Sequence, residues 1–329
     1  MRIRGLGRLR LIAGKLQNRL SPGTLILLYH RIADLPVDPQ LMSVTPAHFD
    51  EHLQVLSKTT RPLSLGSLAQ SLTSGEVTKH GTVITFDDGA ADNLHNAKPI
   101  LERYDIPATV FVATEYSKGD REFWWDELER FVLIPGELPE KLTLKTNGTN
   151  LNWNLDPLDP ASARQNLYQQ LGNFLRPMSA AQRFEVIDEL RQWSRGGTTA
   201  RQTHRALSPQ EIRQLANGGL VEIGAHTVTH PVLSALPITE QKHEIIQSKA
   251  QLEEILNQPI KSFAYPYGTK DDYTSETVAL VRQAKYTCAC SNYTGVTQPR
   301  TPRYELPRVV VRDWDGDEFE RRLRGWFRG

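Results

Sequence analysis

Short, continuous apolar runs recur along this chain, and helical patterns separate most of them. The runs are "TLILLYH" (24–30), "VITFDD" (83–88), "ATVFVA" (108–113), "VEIGAH" (221–226), "IKSFAYP" (260–266), "YTCACS" (286–291) and "LPRVVV" (306–311). Runs without in–out alternation suit strands buried on both faces, which means a parallel sheet covered by helices. The intervening helices carry start signals: Thr45 before Pro46, and Ser208 before Pro209, a capping residue followed by proline at the first helical position. The expected fold is therefore α/β, a barrel of about seven strand–helix units related to the eight-unit type. Free cysteines are usually buried, so Cys288 and Cys290, one residue apart, are expected to be core thiols of a strand.

Two stretches depart from the alternation. Residues 117–206 contain helical segments ("EFWWDELERFVL", "SAAQRFEVIDELRQWS") and a hairpin pattern around Asn147-Gly148, and are read as one mostly helical insertion on a loop that follows a strand. Residues 1–22 are basic and lack acidic residues. Ile3, Leu6, Leu9, Ile12, Leu16 and Leu20 fall near helical spacing there, which offers a weak membrane-surface contact through residues 1–20, weakened by Gly5, Gly7 and Gly14. The apolar core of this segment is too short for a signal peptide, so a cytoplasmic or membrane-face location is expected. The barrel is expected over 23–325. With 39 basic and 38 acidic residues, the chain has no global electrostatic case for nucleic acid.

In a parallel barrel all strand C-termini open on one face, where active sites are built. His30, Asp87, Asp88, His226 and Tyr267 all stand at or just after such ends, and His230 follows four residues after His226. Asp88, His226 and His230 make a carboxylate and two imidazoles, a ligand set for one divalent transition metal, zinc first among them, with positions left open. Thr227, Val228 and Thr229 are β-branched and Pro231 follows, which places the histidine pair on a loop. A cation there offsets the repulsion between adjacent aspartates. Asp87 is left free as a general base toward water acidified by the metal.

These residues resemble the NodB-type polysaccharide deacetylases, the family 4 carbohydrate esterases, and are similar to their circularly permuted members that act on poly-N-acetylglucosamine. "TFDDG" is similar to the family's first motif, "HTVTH" to the second and "FAYPYG" to the third, over roughly 24–115 and 207–325. The resemblance implies the NodB form of the barrel and metal-dependent hydrolysis of N-acetyl or O-acetyl groups on a polysaccharide or lipid-linked saccharide. It implies Asp87 as base, Asp88, His226 and His230 as metal ligands, Pro266 and Tyr267 shaping the substrate groove, and the Tyr267 N–H at the oxyanion. The acetylated saccharide is then the partner, and Trp124, Trp125 and Trp314 are candidate stacking platforms for it.

Two features depart from that pattern. The third motif lacks its arginine, having Ala264 nearby, and Arg308 or Arg312 is the candidate replacement. The C-terminal "LxxH" of the family is replaced by "LPRVVVRDWD", and the resemblance to permuted members transfers the catalytic acid to His30 of "LLYHRI". The rival readings are a metal-independent amidohydrolase on the same barrel and a non-catalytic carbohydrate-binding relative.

Overall fold

The computed structural model describes residues 23–328 apart from 120, 135, 147 and 148. The N-terminal basic segment and the Asn147-Gly148 turn, with the expectations attached to them, lie outside the described residues. The main sheet has eight parallel strands, seven of them along its path: β1 (Thr24–Tyr29), β2 (Gly81–Phe86), β3 (Ala108–Val112), β4 (Val221–Ala225), β5 (Ser262–Ala264), β6 (Cys288–Cys290) and β7 (Val309–Val310); the two-residue strand Arg61–Pro62 pairs with β2 off that path. The seven run in the order β6-β5-β4-β3-β2-β1-β7. A parallel bridge from Cys290 to Leu306 brings the approach to β7 against β6, so the two ends of the sheet meet. The result is a distorted barrel of seven strand–helix units, the form that the sequence resemblance implies.

Alternate strand residues separate two cores, as the period of two requires. Leu25, Leu27, Ile84, Val110, Ala225 and Phe263 pack outward, among buried helix residues such as Phe49, Leu53, Ile212 and Ile245. Ile26, Val83, Phe111, Ala264, Cys288, Cys290 and Leu306 pack inward. Gly224 is required here: a Cβ would stand 2.4 Å from the Phe111 ring. Both cysteines are free and buried, and burial pushes the Cys290 thiol up to about 12.

Around the sheet run α1 (Pro46–Thr59), α2 (Leu65–Thr73) and α3 (Lys98–Tyr104). Thr45 caps α1 through the His48 N–H. Leu65, Leu68 and Ala69 of α2 join the inward core, and the Gly66 N–H reaches Glu222 near the start of β4. A π-helical turn, Asn93–Ala97, precedes α3. Pro99 lacks an N–H and its ring crowds the carbonyl four residues back, which widens the turn.

Between β3 and β4 lie α4 (Trp124–Val132), a hairpin (Lys141–Thr146 and Thr149–Asn154), α5 (Pro160–Leu175), α6 (Ala180–Trp193) and α7 (Pro209–Ala216). The first four share a core of their own, with Trp124, Leu128, Leu142, Leu171 and Ile187 among its members. Ile212 and Leu215 of α7 belong to the barrel core instead. Three helices complete the chain: α8 (Ile238–Leu256), α9 (Ser275–Gln283) and α10 (Gly316–Arg328).

Candidate active site

The inward period continues past the strand ends and turns polar. On β2, Val83, Thr85 and Asp87 succeed one another on the inner side; before and within β7, Leu306, Arg308 and Val310 do the same. At that level a cavity of about 540 Å³ opens, lined among others by His30, Asp87, Asp88, His226, His230 and Tyr267. Residues distant in sequence thus converge on one barrel mouth.

Backbone conformation aims several of these side chains. Asp88 (φ +74°), Thr227 (φ +66°), His230 (φ +54°) and Tyr267 (φ +59°) all occupy the left-handed region, which costs non-glycine residues on the order of 1–3 kcal/mol each. The surroundings hold the histidine loop in this form. Glu244 of α8 accepts from the Val228 and Thr229 N–H groups at 2.8 and 2.9 Å. From α6, Arg183 is fully buried and donates to the carbonyls of Thr229 and His230 at 2.9 and 3.2 Å. Arg183 carried no signal in the sequence beyond being an arginine on a helix.

Asp87 and Asp88 have opposite environments. Arg308 grips Asp87 with two parallel bonds of 2.7 Å, the strong bidentate arrangement. Burial pushes the Asp87 carboxyl up, but Arg308, His226 and these hydrogen bonds pull harder and leave it below the usual range. Asp88 is held well above that range by burial and by Asp87, and its Oδ1 is buried without a hydrogen-bond partner. His226 Nε2 lies 3.6 Å and His230 Nε2 3.4 Å from this Oδ1. His226 Nδ1–H donates to the Ala264 carbonyl at 2.8 Å, which turns the Nε2 lone pair toward Asp88. One ligand atom from each of Asp88, His226 and His230 lies within 4.8 Å of the others. The orphaned carboxylate oxygen and the oriented imidazole both fit a divalent cation.

Arg308 thus stands where the third-motif arginine is missing. Arg308 reaches Asp87 from the residue just before β7, with only β1 between that strand and β2. Arg312 does not share this role: its guanidinium donates to the carbonyls of Gln40 and Leu41. His30 faces the same cavity, with its carbonyl held by Asn93 of the π turn at 2.9 Å. Burial lowers its imidazole to about 4, while the Asp87 charge favours its protonation. Tyr267 lines the wall, and among the described residues nothing accepts its backbone N–H. Pro266 is buried behind it, its carbonyl closing the Gly268 turn at 2.6 Å.

Trp314, expected to touch substrate, does not line the cavity. After β7 the chain turns outward, because Asp313 accepts from the Thr45 N–H at the start of α1. Trp314 then packs against Trp326, with Arg322 4.2 Å from its ring centroid. Trp124 and Trp125 do line the cavity, with Tyr168, Gln169, Gly172, Asn173 and Arg176. Tyr168, Gly172 and Arg176 fall at four-residue spacing along α5 and its cap, a stripe legible in the sequence but not singled out there.

A second buried group, Asp126, Glu129 and His204, has metal-like spacing. Arg201 binds Glu129 at 2.9 Å and Arg31 lies close enough to pull on Asp126, so arginines already supply the countercharge. Burial pushes Asp126 up to about 8 despite Arg31. Between pH ~4, where an unfolded aspartate ionises, and about 8, the folded chain holds a proton that the unfolded chain has lost. This contribution to stability is complete below the lower limit and disappears as pH rises through the upper. Asp126→Asn is neutral at every pH and escapes the loss. Melting temperatures should show the variant gaining several degrees on the wild type between pH 5 and pH 8.5; a constant gap would refute the assignment.

A family profile described as polysaccharide deacetylase matches residues 74–134 and 184–289. It leaves out β1 and β7, the strands beside His30 and Arg308. No curated protein matches the sequence. Among solved structures, the Streptococcus pyogenes deacetylase PplD in complex with acetate is similar at 19% identity and TM-score 0.60, over 92% of this chain and 99% of that one. IcaB from Ammonifex degensii is similar at 17% identity and TM-score 0.60, over 94% and 98%. The BpsB deacetylase domain from Bordetella bronchiseptica is similar at 15% and 0.55, over 89% and 97%. The matched profile spans just over half of the sequence, and its two segments contain both aspartates and both histidines of the barrel mouth: the chain belongs to the polysaccharide deacetylase family, hydrolases whose substrates are acetylated saccharides.

Proposed function

We propose that this enzyme removes N-acetyl groups from a saccharide with the help of one divalent transition metal, zinc being the ion this donor set suits best. The observation that carries the reading is the contrast between the two aspartates: one held ionised by an arginine, its neighbour left with an orphaned oxygen beside two imidazoles. Asp88, His226 and His230 would hold the metal. When bound, such an ion polarises the acyl carbonyl and brings the pKa of water from ~15.7 to about 7.

The other steps belong to side chains and backbone. Asp87, kept ionised by Arg308, takes the proton of the attacking water. The Tyr267 N–H donates to the oxygen that gains charge as the carbonyl carbon becomes tetrahedral. His30 hands a proton to the departing nitrogen. Burial holds its imidazole neutral at rest, so it must acquire that proton within the cycle, and Asp87 is the neighbour whose charge favours the imidazolium. Trp124 and Trp125 offer apolar surface to the sugar, the Trp125 ring lying 4.9 Å from that of His230.

Elemental analysis of purified protein, with acetate release measured on chitooligosaccharides, β-1,6-linked N-acetylglucosamine oligomers, peptidoglycan fragments and acetylated xylan, tests the proposal. The expected result is about one divalent ion per chain, acetate from at least one acetamido substrate, and loss of that activity on chelation. Metal-free protein that stays active in chelator would favour the metal-independent amidohydrolase reading.

A further inference from the structure

The charges around the cavity do not balance on its outer side. Asp87 is matched by Arg308, and Asp88 faces the two imidazoles. Arg176 is matched by Asp272 at 2.5 Å, with its guanidinium 4.5 Å from the Tyr267 ring centroid. Arg312 also lines the cavity and is half-buried. Its Nη1 donates only to neutral carbonyls, Gln40 at 3.0 Å and Leu41. Among the described residues no carboxylate lies within ion-pair distance of it, and no acceptor meets its Nε or Nη2. Asp38 is the acid whose charge reaches it, but that carboxylate is engaged by the Met42 and Ser43 N–H groups at 3.0 and 2.8 Å.

A guanidinium removed halfway from water and left with neutral partners is costly unless an anion meets it. Its planar fork matches carboxylate and phosphate oxygens two at a time. Taken together with the deacetylase reading, on which this step rests, we infer that the preferred saccharide carries an anionic oxygen group, carboxylate or phosphate, within one or two sugar units of the scissile acetamide, and that Arg312 receives it. Arg312 is then a specificity determinant of the same cavity. The carbonyls of Gln40 and Leu41 hold its Nη1 in place, so the remaining fork is presented with little freedom to lose.

The test uses three β-linked acetamido trisaccharides: a neutral parent, one bearing a single O-linked carboxylate beside the acetamide, and one bearing a phosphate monoester there. Wild-type enzyme should prefer at least one anionic substrate in kcat/KM by roughly tenfold or more, the scale of a charge-assisted hydrogen bond. The preference should reside in KM and shrink as salt is raised from about 0.05 to about 0.5 M. Arg312→Gln should abolish the preference and Arg312→Lys should keep part of it. Which anionic arm responds distinguishes carboxylate from phosphate. Equal rates on all three substrates in the wild type overturn the inference while leaving the deacetylase reading standing. So does a loss in Arg312→Gln that is uniform across the three, since a tether for residues 40 and 41 predicts that result. No acetate from the anionic pair, with acetate from the neutral parent or from the panel above, overturns the inference alone; no acetate from any of the three or from that panel overturns both readings.

Discussion

Asp87→Asn should lower acetate release by roughly 10²–10⁴-fold, the range of a lost general base, while the bound metal stays in place. Asp88→Asn should fail differently. It removes the charged member of the Asp88, His226, His230 group, so metal content should fall together with activity. The distinction follows from what each carboxylate touches. Asp87 spends both oxygens on Arg308 and has only a distant approach, 3.8 Å, to His226. Asp88 has a buried oxygen with no hydrogen-bond partner among the described residues. His30→Ala completes the set. Metal should be retained and turnover on an acetamido sugar lost, with a milder effect on an aryl acetate, whose phenolate leaves with less help than an amine. Metal analysis and acetate release on the three proteins decide the matter. Loss of metal from Asp87→Asn with retention by Asp88→Asn would invert the assignment of the pair. Full amide activity in His30→Ala would move the acid elsewhere.

Removing Arg308 should be the other severe change. Arg308→Met leaves the Asp87 carboxylate buried without its cation. Breaking a buried pair in this way typically costs about 3–5 kcal/mol. The stable fraction should also show a shifted pH profile. Arg308 is the largest influence holding the Asp87 carboxyl below its usual range; without it the carboxyl rises, and the base is ionised only at higher pH. The acidic limb of kcat/KM should therefore move upward. Arg308→Lys keeps the charge but not the two-pronged grip, so it should fold better and fall between wild type and Arg308→Met in both limb position and rate. An acidic limb that stays in place in a folded Arg308→Lys or Arg308→Met protein would show that the arginine does not set the base.

The barrel and most of its polar mouth were legible because both depend on local pattern. Apolar runs of strand length give the seven strands, and position at a strand's C-terminal end brings His30, Asp87, Asp88, His226 and Tyr267 together whatever the loops do. Strand limits were less legible: the ladder over "IKSFAYP" spans only Ser262–Ala264, since the residues beyond are already turning into the Tyr267 loop. Arg308 was one of two candidates, and only geometry separates them. It stands two residues from Leu306 and two from Val310, on the inward side, whereas Arg312 lies past the strand end, where the period no longer holds. Trp314 was misplaced for a related reason, because its direction is set by Asp313 accepting from the N–H of Thr45, the cap residue of α1, 268 residues earlier in sequence. Arg183 was illegible altogether. Its task is to brace two carbonyls of the histidine loop, and such carbonyls leave no mark on sequence.

The grip of Arg308 on Asp87 spans 221 residues of chain, and the strand that delivers it is the last of the seven. During synthesis from the N-terminus, His30, both aspartates and both histidines exist well before Arg308 does. A chain interrupted just before residue 308 owns the proposed base and the proposed metal ligands, yet lacks the cation that holds the Asp87 carboxyl below its usual range. If Asp87 is the base, chemical competence waits until synthesis has passed residue 308, and a copy cut before that point is expected to release no acetate.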